Sequence, residues 1–200
     1  MDWDALATRY DAQLWLERRP LRAALELARP GRDDRLLDVG TGTGAVLKSL
    51  ARRPERPRRA TGVDSSVAML ARIGPLPAGW EVMVADIAAL PLEPASFDVA
   101  IASYVLHVLD ASARIPALRE IHRVLRPDGV LVTVTPALPL PAAHPLHRRI
   151  VSRLEVASGA GRGMLPLDPR GLLGVAGFRV EETRRVWLGY HSLCVRARRC

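Results

Sequence analysis

Apolar residues follow two different spacings along this chain, and the change comes near residue 30. In residues 3–28 they stand three or four positions apart, which predicts an N-terminal helix that Pro20 divides into two segments. Beyond residue 30, short runs of successive apolar residues predict strands, and segments with helical spacing lie between them. The predicted strands span residues 35–39, 60–64, 81–85, 98–102 and 130–135, and the predicted helices span 44–53, 66–72 and 113–124. This alternation predicts a doubly wound α/β fold around a parallel sheet.

The pattern changes after residue 135. Four prolines in residues 136–145 predict a loop, which a helix at about 145–158 follows. Residues 178–187 and 192–198 predict two strands with a turn between them.

Length and composition limit the classes of protein that fit. With 48% hydrophobic and 25% charged residues, the chain has the make-up of one globular domain over residues 1–200. We expect residues 1–30 to form a helical cap and residues 136–170 to form a loop and helix that cover the substrate. The acidic start, the lack of an apolar run of about 18 residues and the placement of Cys194 and Cys200 predict a cytoplasmic protein with reduced thiols and no bound metal.

The net charge of +8 raises nucleic acids and anionic membranes as partners. Of the 29 basic residues, however, only Lys48 is a lysine, a bias that a GC-rich genome would produce. Five arginines stand in residues 52–59, which precede the second strand and therefore lie at the amino-terminal edge of the sheet. We therefore interpret the excess of arginine as part of the solvated surface rather than as a binding site for a polyanion.

The most informative stretch is residues 36–44, LLDVGTGTG, which follows a strand and opens a helix. A glycine-rich turn in this place lets a ligand approach the backbone and the helix N-terminus. Asp64 lies twenty residues beyond Gly44, at the end of the next strand, where a carboxylate can accept both hydroxyls of a ribose. Asp86 ends the third strand. Because parallel strands end at the same edge of a sheet, we expect Asp38, Asp64 and Asp86 to share a cofactor cleft.

Two ligand classes fit a glycine loop with a ribose-binding acid. A dinucleotide needs the loop to hold a pyrophosphate and usually shows the spacing G-x-G-x-x-G. Here Gly40, Gly42 and Gly44 are evenly spaced and follow Asp38. A carboxylate in that crevice would repel a diphosphate, but it suits the ammonium and sulfonium groups of S-adenosylmethionine. We therefore expect S-adenosylmethionine as the cofactor and S-adenosylhomocysteine as its product.

Five motifs, in this order and spacing, resemble those of the class I S-adenosylmethionine-dependent methyltransferases. They are DVGTGTG at 38–44, GVD at 62–64, AD at 85–86, FDVA at 97–100 and RVLRPDG at 123–129. The small-molecule branch, which includes the ubiquinone/menaquinone biosynthesis methyltransferases, is the most similar. The resemblance covers residues 8–136 and implies a Rossmann-like, seven-stranded sheet in the order 3-2-1-4-5-7-6 with the last strand antiparallel. One departure, Asp128 where the family often has glycine, is tolerated because aspartate accepts a left-handed turn position.

The resemblance also implies roles for individual residues. The glycine loop would contact the methionine part, Asp64 the ribose hydroxyls and Asp86 the adenine amino group. Ile87 would pack on the adenine ring, and Ser103 would offer its backbone carbonyl to the ammonium group. The predicted cofactor-binding residues are Asp38, Gly40, Thr41, Gly42, Asp64, Ser65, Asp86, Ile87 and Ser103.

Methyl transfer is an in-line displacement that chiefly requires alignment, and it needs a base only when the acceptor must lose a proton early. His107, after the fourth strand, and His191, in the turn before the last strand, are the candidate catalytic residues. The expected acceptor pocket consists of Tyr10, Tyr104, His107, Tyr190 and His191.

We expect a small organic acceptor and a monomer or homodimer, with a membrane surface as a minor alternative and a nucleic acid disfavoured. Three alternatives stay open. They are a methyltransferase that acts on RNA or anionic phospholipid, an NAD-dependent oxidoreductase, and a cofactor-binding protein without catalysis. The acceptor atom, carbon, nitrogen, oxygen or sulfur, also stays open.

Overall fold

The computed structural model describes residues 14–137 and 165–200, which contain five helices and seven strands. The helices are α1 (Leu14–Ala28), α2 (Ala45–Ala51), α3 (Val67–Leu70), α4 (Ala111–Val124) and α5 (Arg170–Val175). The strands are β1 (Arg35–Val39), β2 (Arg59–Asp64), β3 (Trp80–Val84), β4 (Phe97–Ser103), β5 (Leu125–Pro136), β6 (Phe178–Val186) and β7 (Ser192–Arg199).

The strands form one sheet in the order β3-β2-β1-β4-β5-β7-β6. Neighbours among β1 to β5 pair in parallel, and β7 runs antiparallel to both β5 and β6. The predicted α/β class, the strand order and the antiparallel last strand are confirmed. Because β1 to β4 are parallel, their carboxyl ends meet at one edge of the sheet, where ligands bind in folds of this kind.

Two apolar cores lie on the two faces of the sheet. Successive strand residues point to opposite faces, so a strand covered on both sides is apolar throughout. Leu36 packs in one core with Leu25 and Leu27 of α1. Its neighbour Leu37 packs in the other core with Leu118 of α4. All five side chains are buried, which explains why the strand pattern is unbroken rather than alternating.

Helix α1 continues through Pro20, so the predicted division of the N-terminal helix at that residue is wrong. A proline has no N–H to donate to the carbonyl four positions earlier, which here belongs to Leu16. The backbone N–H of Tyr190 donates to this carbonyl at 3.2 Å. A tertiary contact thus supplies the hydrogen bond that the helix lacks. Residues 3–13 of the predicted helix lie outside the described residues.

Differences from the predicted elements concern mainly the second half of the chain. The sequence pattern does not predict α5, a six-residue helix whose buried side chain is Leu173. Strand β5 begins at Leu125 rather than at residue 130. Within it, Asp128 adopts the left-handed conformation expected for it, with φ 61°. The predicted helix at 145–158 lies outside the described residues.

Candidate cofactor-binding and active site

A cleft of about 810 Å³, open to solvent, lies at the carboxyl ends of β1 to β4. Its walls come from the segments that directly follow these four strands. The residues that line it are Gly40, Gly42, Val63, Asp64, Ser65, Met69, Ala85, Asp86, Ile87, Ser103, Tyr104, Val105, Val108 and Leu109. The structure thus brings together at one edge the acids and glycines that the sequence separates by up to 46 positions, from Gly40 to Asp86.

The glycine loop turns sharply between β1 and α2 because its glycines adopt left-handed conformations. Gly40 has φ 66° and Gly44 has φ 81°, values that L side chains rarely adopt. At Gly40 the space is also closed, since an added Cβ would lie 2.6 Å from Cγ2 of Val105. The loop is held by hydrogen bonds from the N–H of Thr41 to the carbonyl of Val63 and from that of Gly44 to the carbonyl of Thr41, both 2.9 Å.

The carboxylate of Asp64 connects the end of β2 to this loop. Its Oδ2 accepts the N–H of Gly42 at 2.8 Å, and its Oδ1 accepts the N–H of Ser66 at 2.9 Å. Two backbone donors therefore fix the side chain in the cleft wall. Each carboxylate oxygen has a further lone pair for a ligand hydroxyl. Asp86 is exposed and accepts the N–H of Ala88 at 2.9 Å, so its free oxygen is also available to a ligand.

Asp38 lies buried beneath the loop, with 1% of its surface exposed. The hydroxyl of Thr41 donates to its Oδ2 at 2.5 Å, whereas its Oδ1 has no hydrogen-bond partner in the described part of the chain. Burial raises the pKa of Asp38 to about 7, and the negative charge of Asp64 adds to this increase, while the Thr41 hydrogen bond opposes it. A buried carboxylate with an open oxygen is the partner that a cationic group requires.

Seven of the nine predicted cofactor-binding residues line the cleft: Gly40, Gly42, Asp64, Ser65, Asp86, Ile87 and Ser103. The other two, Asp38 and Thr41, lie directly beside it. Thr41 lines a smaller neighbouring cavity that shares the walls of Gly40 and Ser103. The nine residues predicted from the sequence to bind the cofactor therefore lie in one continuous region of the structure.

The predicted acceptor-side residues lie around Tyr104, which lines the cleft. The ring of Tyr104 has edge contacts with His107 and Tyr190, at centroid distances of 6.0 and 6.2 Å. Its hydroxyl is 2.5 Å from Oγ of Ser192, and its backbone has φ 54°, an uncommon value for a bulky residue. His107, Tyr190 and His191 are buried and are not among the residues that line the cleft.

Burial lowers the pKa of His107 to about 4, and the nearby charge of Arg114 contributes. The imidazole is therefore neutral at physiological pH. Its Nδ1 has no hydrogen-bond partner among the residues described. His191 has an edge contact with Trp187 at 5.8 Å. Tyr10, the remaining predicted pocket residue, lies outside the described residues.

Sequence reasoning missed two groups of residues at this site. Met69, Val105 and Leu109 line the cleft, but their apolar side chains lie beyond strand ends and have no pattern that distinguishes them from core residues. Glu17 and Leu21 of α1 line the smaller cavity. A signal for Glu17 was present, because its position is four residues before Leu21 on the apolar side of the helix, where an acid is unusual.

Residues 14–137 and 165–200 contain neither a cluster of metal ligands nor a membrane-spanning helix. No group of three or more His, Cys, Asp or Glu side chains there is arranged to hold a metal ion. No helix in the same segments is long and apolar enough to cross a membrane.

Comparison with known proteins identifies the family. The methyltransferase domain family matches residues 37–133, from β1 into β5. A demethylmenaquinone methyltransferase from Roseiflexus castenholzii is 36% identical over 169 residues, which cover 78% of this chain and 69% of that protein. The chain belongs to the class I S-adenosylmethionine-dependent methyltransferases. The resemblance that the five motifs indicate is confirmed.

A second relative of this methyltransferase is the ubiquinone/menaquinone biosynthesis C-methyltransferase UbiE of Geotalea uraniireducens. It is 33% identical over 153 residues, which cover 69% of this chain and 64% of that protein. The methyltransferase chain thus spans less than two thirds of several curated relatives, down to 31% of one.

The methyltransferase fold is also found in solved structures. One is a chain of the complex between the Haloferax volcanii Trm112 methyltransferase activator and a methyltransferase. It matches with a TM-score of 0.76 and 19% identity over 98% of this chain and 97% of that one. At this level of identity the likeness concerns the fold alone.

Proposed function

We propose that this methyltransferase binds S-adenosylmethionine in the cleft and transfers its methyl group to a small organic acceptor, with S-adenosylhomocysteine as the second product. The observation that carries the proposal is the pair of acids at the glycine loop. Asp64 is fixed by two backbone N–H groups, and Asp38 is buried beneath the loop with an open oxygen. This arrangement suits a cationic nucleoside and disfavours a pyrophosphate, which supports S-adenosylmethionine over NAD.

The two proposed nucleoside contacts of Asp64 and Asp86 use carboxylate oxygens with spare lone pairs. Asp64 would accept both ribose hydroxyls, and Asp86 would accept the adenine amino group. Ile87, half-buried in the cleft wall, would pack on the adenine ring. The negative charge of Asp38 and the carbonyl of Ser103 would favour the ammonium group. The methyl-bearing sulfur would then lie near the glycine loop.

When bound, S-adenosylmethionine supplies a methyl group on a positively charged sulfur, ready for in-line displacement. The protein's part is to align the acceptor with this group and to exclude water. Tyr104, Val105 and Leu109 form an apolar wall suited to both tasks. His107 and His191 remain the predicted catalytic residues. With a pKa of about 4, His107 would hold a transferred proton only weakly.

A small acceptor is favoured by the charge distribution. Five arginines stand in residues 52–59, which form the connection from α2 to β2 and the first residue of β2, at the edge of the sheet opposite the cleft. Asp64 and Asp86, by contrast, lie in the cleft itself. A polyanionic acceptor would therefore meet negative charge at the reaction site. The names of the two relatives refer to demethylmenaquinone and to ubiquinone/menaquinone biosynthesis, which supports a small organic acceptor.

Calorimetric titration with S-adenosylmethionine, S-adenosylhomocysteine and NAD tests the cofactor. We expect the first two to bind and NAD not to bind, and NAD binding alone would favour an oxidoreductase. A transfer assay with radiolabelled methyl groups then tests catalysis over a panel of quinols, phenols, amines and thiols. Binding of S-adenosylmethionine without transfer to any of them would favour a non-catalytic protein.

Two histidine variants belong in the same assay. His107→Gln and His191→Gln should each reduce the turnover number if the residue acts on the acceptor, with the affinity for S-adenosylhomocysteine unchanged. Unchanged turnover in both variants would remove the two catalytic assignments, while leaving the cofactor proposal intact.

A further inference from the structure

Two large apolar side chains are exposed near one another beside the turn between β6 and β7. Trp15 of α1 has 57% of its surface exposed, and Leu188 in the turn has 55%. Their chain neighbours Leu16 and Gly189 are in direct contact, because a Cβ at Gly189 would collide with the backbone of Leu16. Trp15 and Leu188 therefore lie on the same part of the molecular surface.

This part of the surface belongs to the edge of the sheet that carries the cleft. Pro136, the last residue of β5, pairs with Ser192, the first residue of β7, so the turn before β7 lies at the carboxyl end of β5. Asp64 and Asp86 stand at the ends of β2 and β3, on the other side of the strand order. The exposed apolar side chains and the acids of the cleft thus share one edge but lie several strands apart.

Basic side chains accompany the two apolar ones. Arg18 and Arg19 come three and four positions after Trp15, which places them on the same side of α1, and both are exposed. Neither takes part in an ion pair within the described segments. Arg185, exposed on β6, lies over the ring of Trp187, with its guanidinium carbon 5.8 Å from the ring centroid.

Positive charge and exposed apolar area occur together at this place. The acids of α1 do not offset the charge, since Glu17 is buried and Glu26 is in ion pairs with Arg22 and Arg184. Residues 52–59, by contrast, contain five arginines but no exposed large apolar side chain. We use the term rim surface for the combined set: Trp15, Arg18, Arg19, Arg185, Trp187 and Leu188.

The surface of a bilayer with anionic phospholipid has the complementary chemistry. Tryptophan favours the boundary between headgroups and hydrocarbon, an exposed leucine gains from burial among acyl chains, and arginine is attracted to anionic headgroups. A nucleic acid would also attract the arginines, but its phosphate backbone offers no apolar phase to Leu188. The combination of side chains therefore favours a lipid surface over another polyanion.

We propose that the rim surface docks on a bilayer that contains anionic phospholipid. The docked protein lies on the membrane and does not cross it, with Trp15 and Leu188 among the headgroups and the arginines next to the phosphates. Because the rim surface belongs to the cleft edge of the sheet, docking turns this edge towards the bilayer, from which an amphiphilic acceptor can enter. The proposal goes beyond the proposed function, and its test needs neither donor nor acceptor.

Sedimentation with vesicles measures the docking. We expect the protein to bind vesicles of phosphatidylcholine with about 30% phosphatidylglycerol and to bind vesicles of phosphatidylcholine alone much more weakly. Binding should be strong at about 0.1 M salt and should decrease at about 0.5 M, because salt screens the attraction between the arginines and the headgroups.

Arg18→Gln combined with Arg19→Gln tests the basic part of the rim surface. Each arginine near an anionic membrane contributes about fivefold to binding, so the partition coefficient should fall about tenfold or more. The matched control combines Arg52→Gln with Arg56→Gln. It removes two exposed arginines at the opposite edge and lowers the net charge equally. The control should stay within about twofold of wild type.

Leu188→Ser and Trp15→Ser test the apolar part, and each should lower the partition coefficient about fivefold or more. Val175→Ser is their control, because Val175 is 66% exposed but lies just before β6 begins, at the edge opposite the cleft. The control should bind vesicles as the wild type does. All the substituted side chains are exposed, so urea denaturation should give the same free energy of unfolding for every variant.

Three results would overturn the proposal. The first is a wild-type protein that does not bind the anionic vesicles. The second is an equal loss in the two double arginine variants, which would mean that net charge alone attracts the protein to lipid. The third is binding to a short RNA duplex, but not to vesicles, that the rim variants alone lose, since the surface would then bind a nucleic acid. Failure of the proposed methyl transfer would leave all of these measurements unaffected.

Discussion

The backbone N–H of Tyr190 donates a hydrogen bond to the carbonyl of Leu16, at 3.2 Å, and thereby joins the turn between β6 and β7 to helix α1. This carbonyl is the one that Pro20 leaves without a helical donor. Gly189, next to Tyr190, lies so close that a Cβ there would collide with the same carbonyl oxygen. The contact seats the helix that carries Glu17 against the sheet.

Gly189→Ala should therefore destabilise the protein strongly. Alanine would have to adopt φ near 90° and also push α1 away, so we expect the free energy of unfolding to fall by about 2–4 kcal/mol in urea denaturation. Gly74→Ala is the control, because Gly74 has φ 76° and open space around it. Equal losses in the two variants would show that backbone strain alone, and not the contact with Leu16, is responsible.

Asp38 should make donor affinity depend on pH. Its pKa of about 7 means that the carboxyl is largely protonated in the free protein at pH 5.5. A bound ammonium and sulfonium favour the ionised form, so affinity rises as pH increases through 7 and then levels off. Between pH 5.5 and pH 7 the affinity for S-adenosylmethionine should increase about tenfold.

Calorimetry in buffers with different ionisation enthalpies measures the number of protons released on donor binding. At pH 5.5 the binding of S-adenosylmethionine should release close to one proton, that of Asp38. Asp38→Asn has no carboxyl to ionise and should lose most of both effects. Proton uptake, or an affinity that is independent of pH in the wild type, would contradict the role given to Asp38.

Asp64→Asn should weaken the binding of S-adenosylhomocysteine by about 100-fold, because two hydrogen bonds from ribose hydroxyls to a charged group are lost or weakened. Asp98→Asn is the matched control. Asp98 also accepts a backbone N–H, that of Arg35 at 2.8 Å, and it pairs with Arg126 at 2.6 Å, but at the opposite edge of the sheet. Isothermal titration should detect the loss in the first variant alone. A similar loss in both would indicate a general effect of removing a carboxylate from a strand.

His107 should make stability depend on pH in a defined direction. Burial lowers its pKa from 6.5 to about 4, so between these values the unfolded chain binds more protons than the folded one. The contribution of His107 to the free energy of unfolding is fully present above pH 6.5. It decreases as the pH falls to 4, by about 3 kcal/mol in total. Asp38, whose pKa is raised, acts in the opposite direction over the same range.

The comparison with His107→Gln removes the contribution of Asp38, which is common to both proteins. Urea denaturation at pH 7 and at pH 4 should show the stability difference between wild type and variant change by about 3 kcal/mol, to the disadvantage of the wild type at pH 4. A difference that stays constant would mean that His107 is accessible to protons in the folded state.

Features of the site that depend on strand ends were predictable from the sequence. Asp38, Asp64 and Asp86 each stand near the carboxyl end of a strand, and parallel pairing brings these ends to one edge of the sheet. Gly40 and Gly42 could be placed at the cleft for the same reason. An acid on the apolar side of α1 marks Glu17 as unusual, but its place at the small cavity could not be predicted, because it depends on how α1 packs over the loop.

Contacts between distant segments were also beyond sequence reasoning. The hydroxyl of Tyr104 meets Oγ of Ser192, 88 residues away, and the N–H of Tyr190 meets the carbonyl of Leu16. The division of the helix predicted at Pro20 was wrong for this reason. A proline tends to break a helix because it has no N–H to donate. Here the N–H of Tyr190 takes the place of the missing donor, and the helix continues.

The sequence by itself therefore determined the alternating elements, the glycine loop and the sheet edge to which its acids belong, because these follow from local periodicity and from parallel pairing. Tertiary structure alone decided the protonation of Asp38 and His107 and the place of Glu17. The reason is that burial and long-range contacts set the free energy of a charge. A chain rich in surface arginine could therefore enclose a site lined by carboxylates.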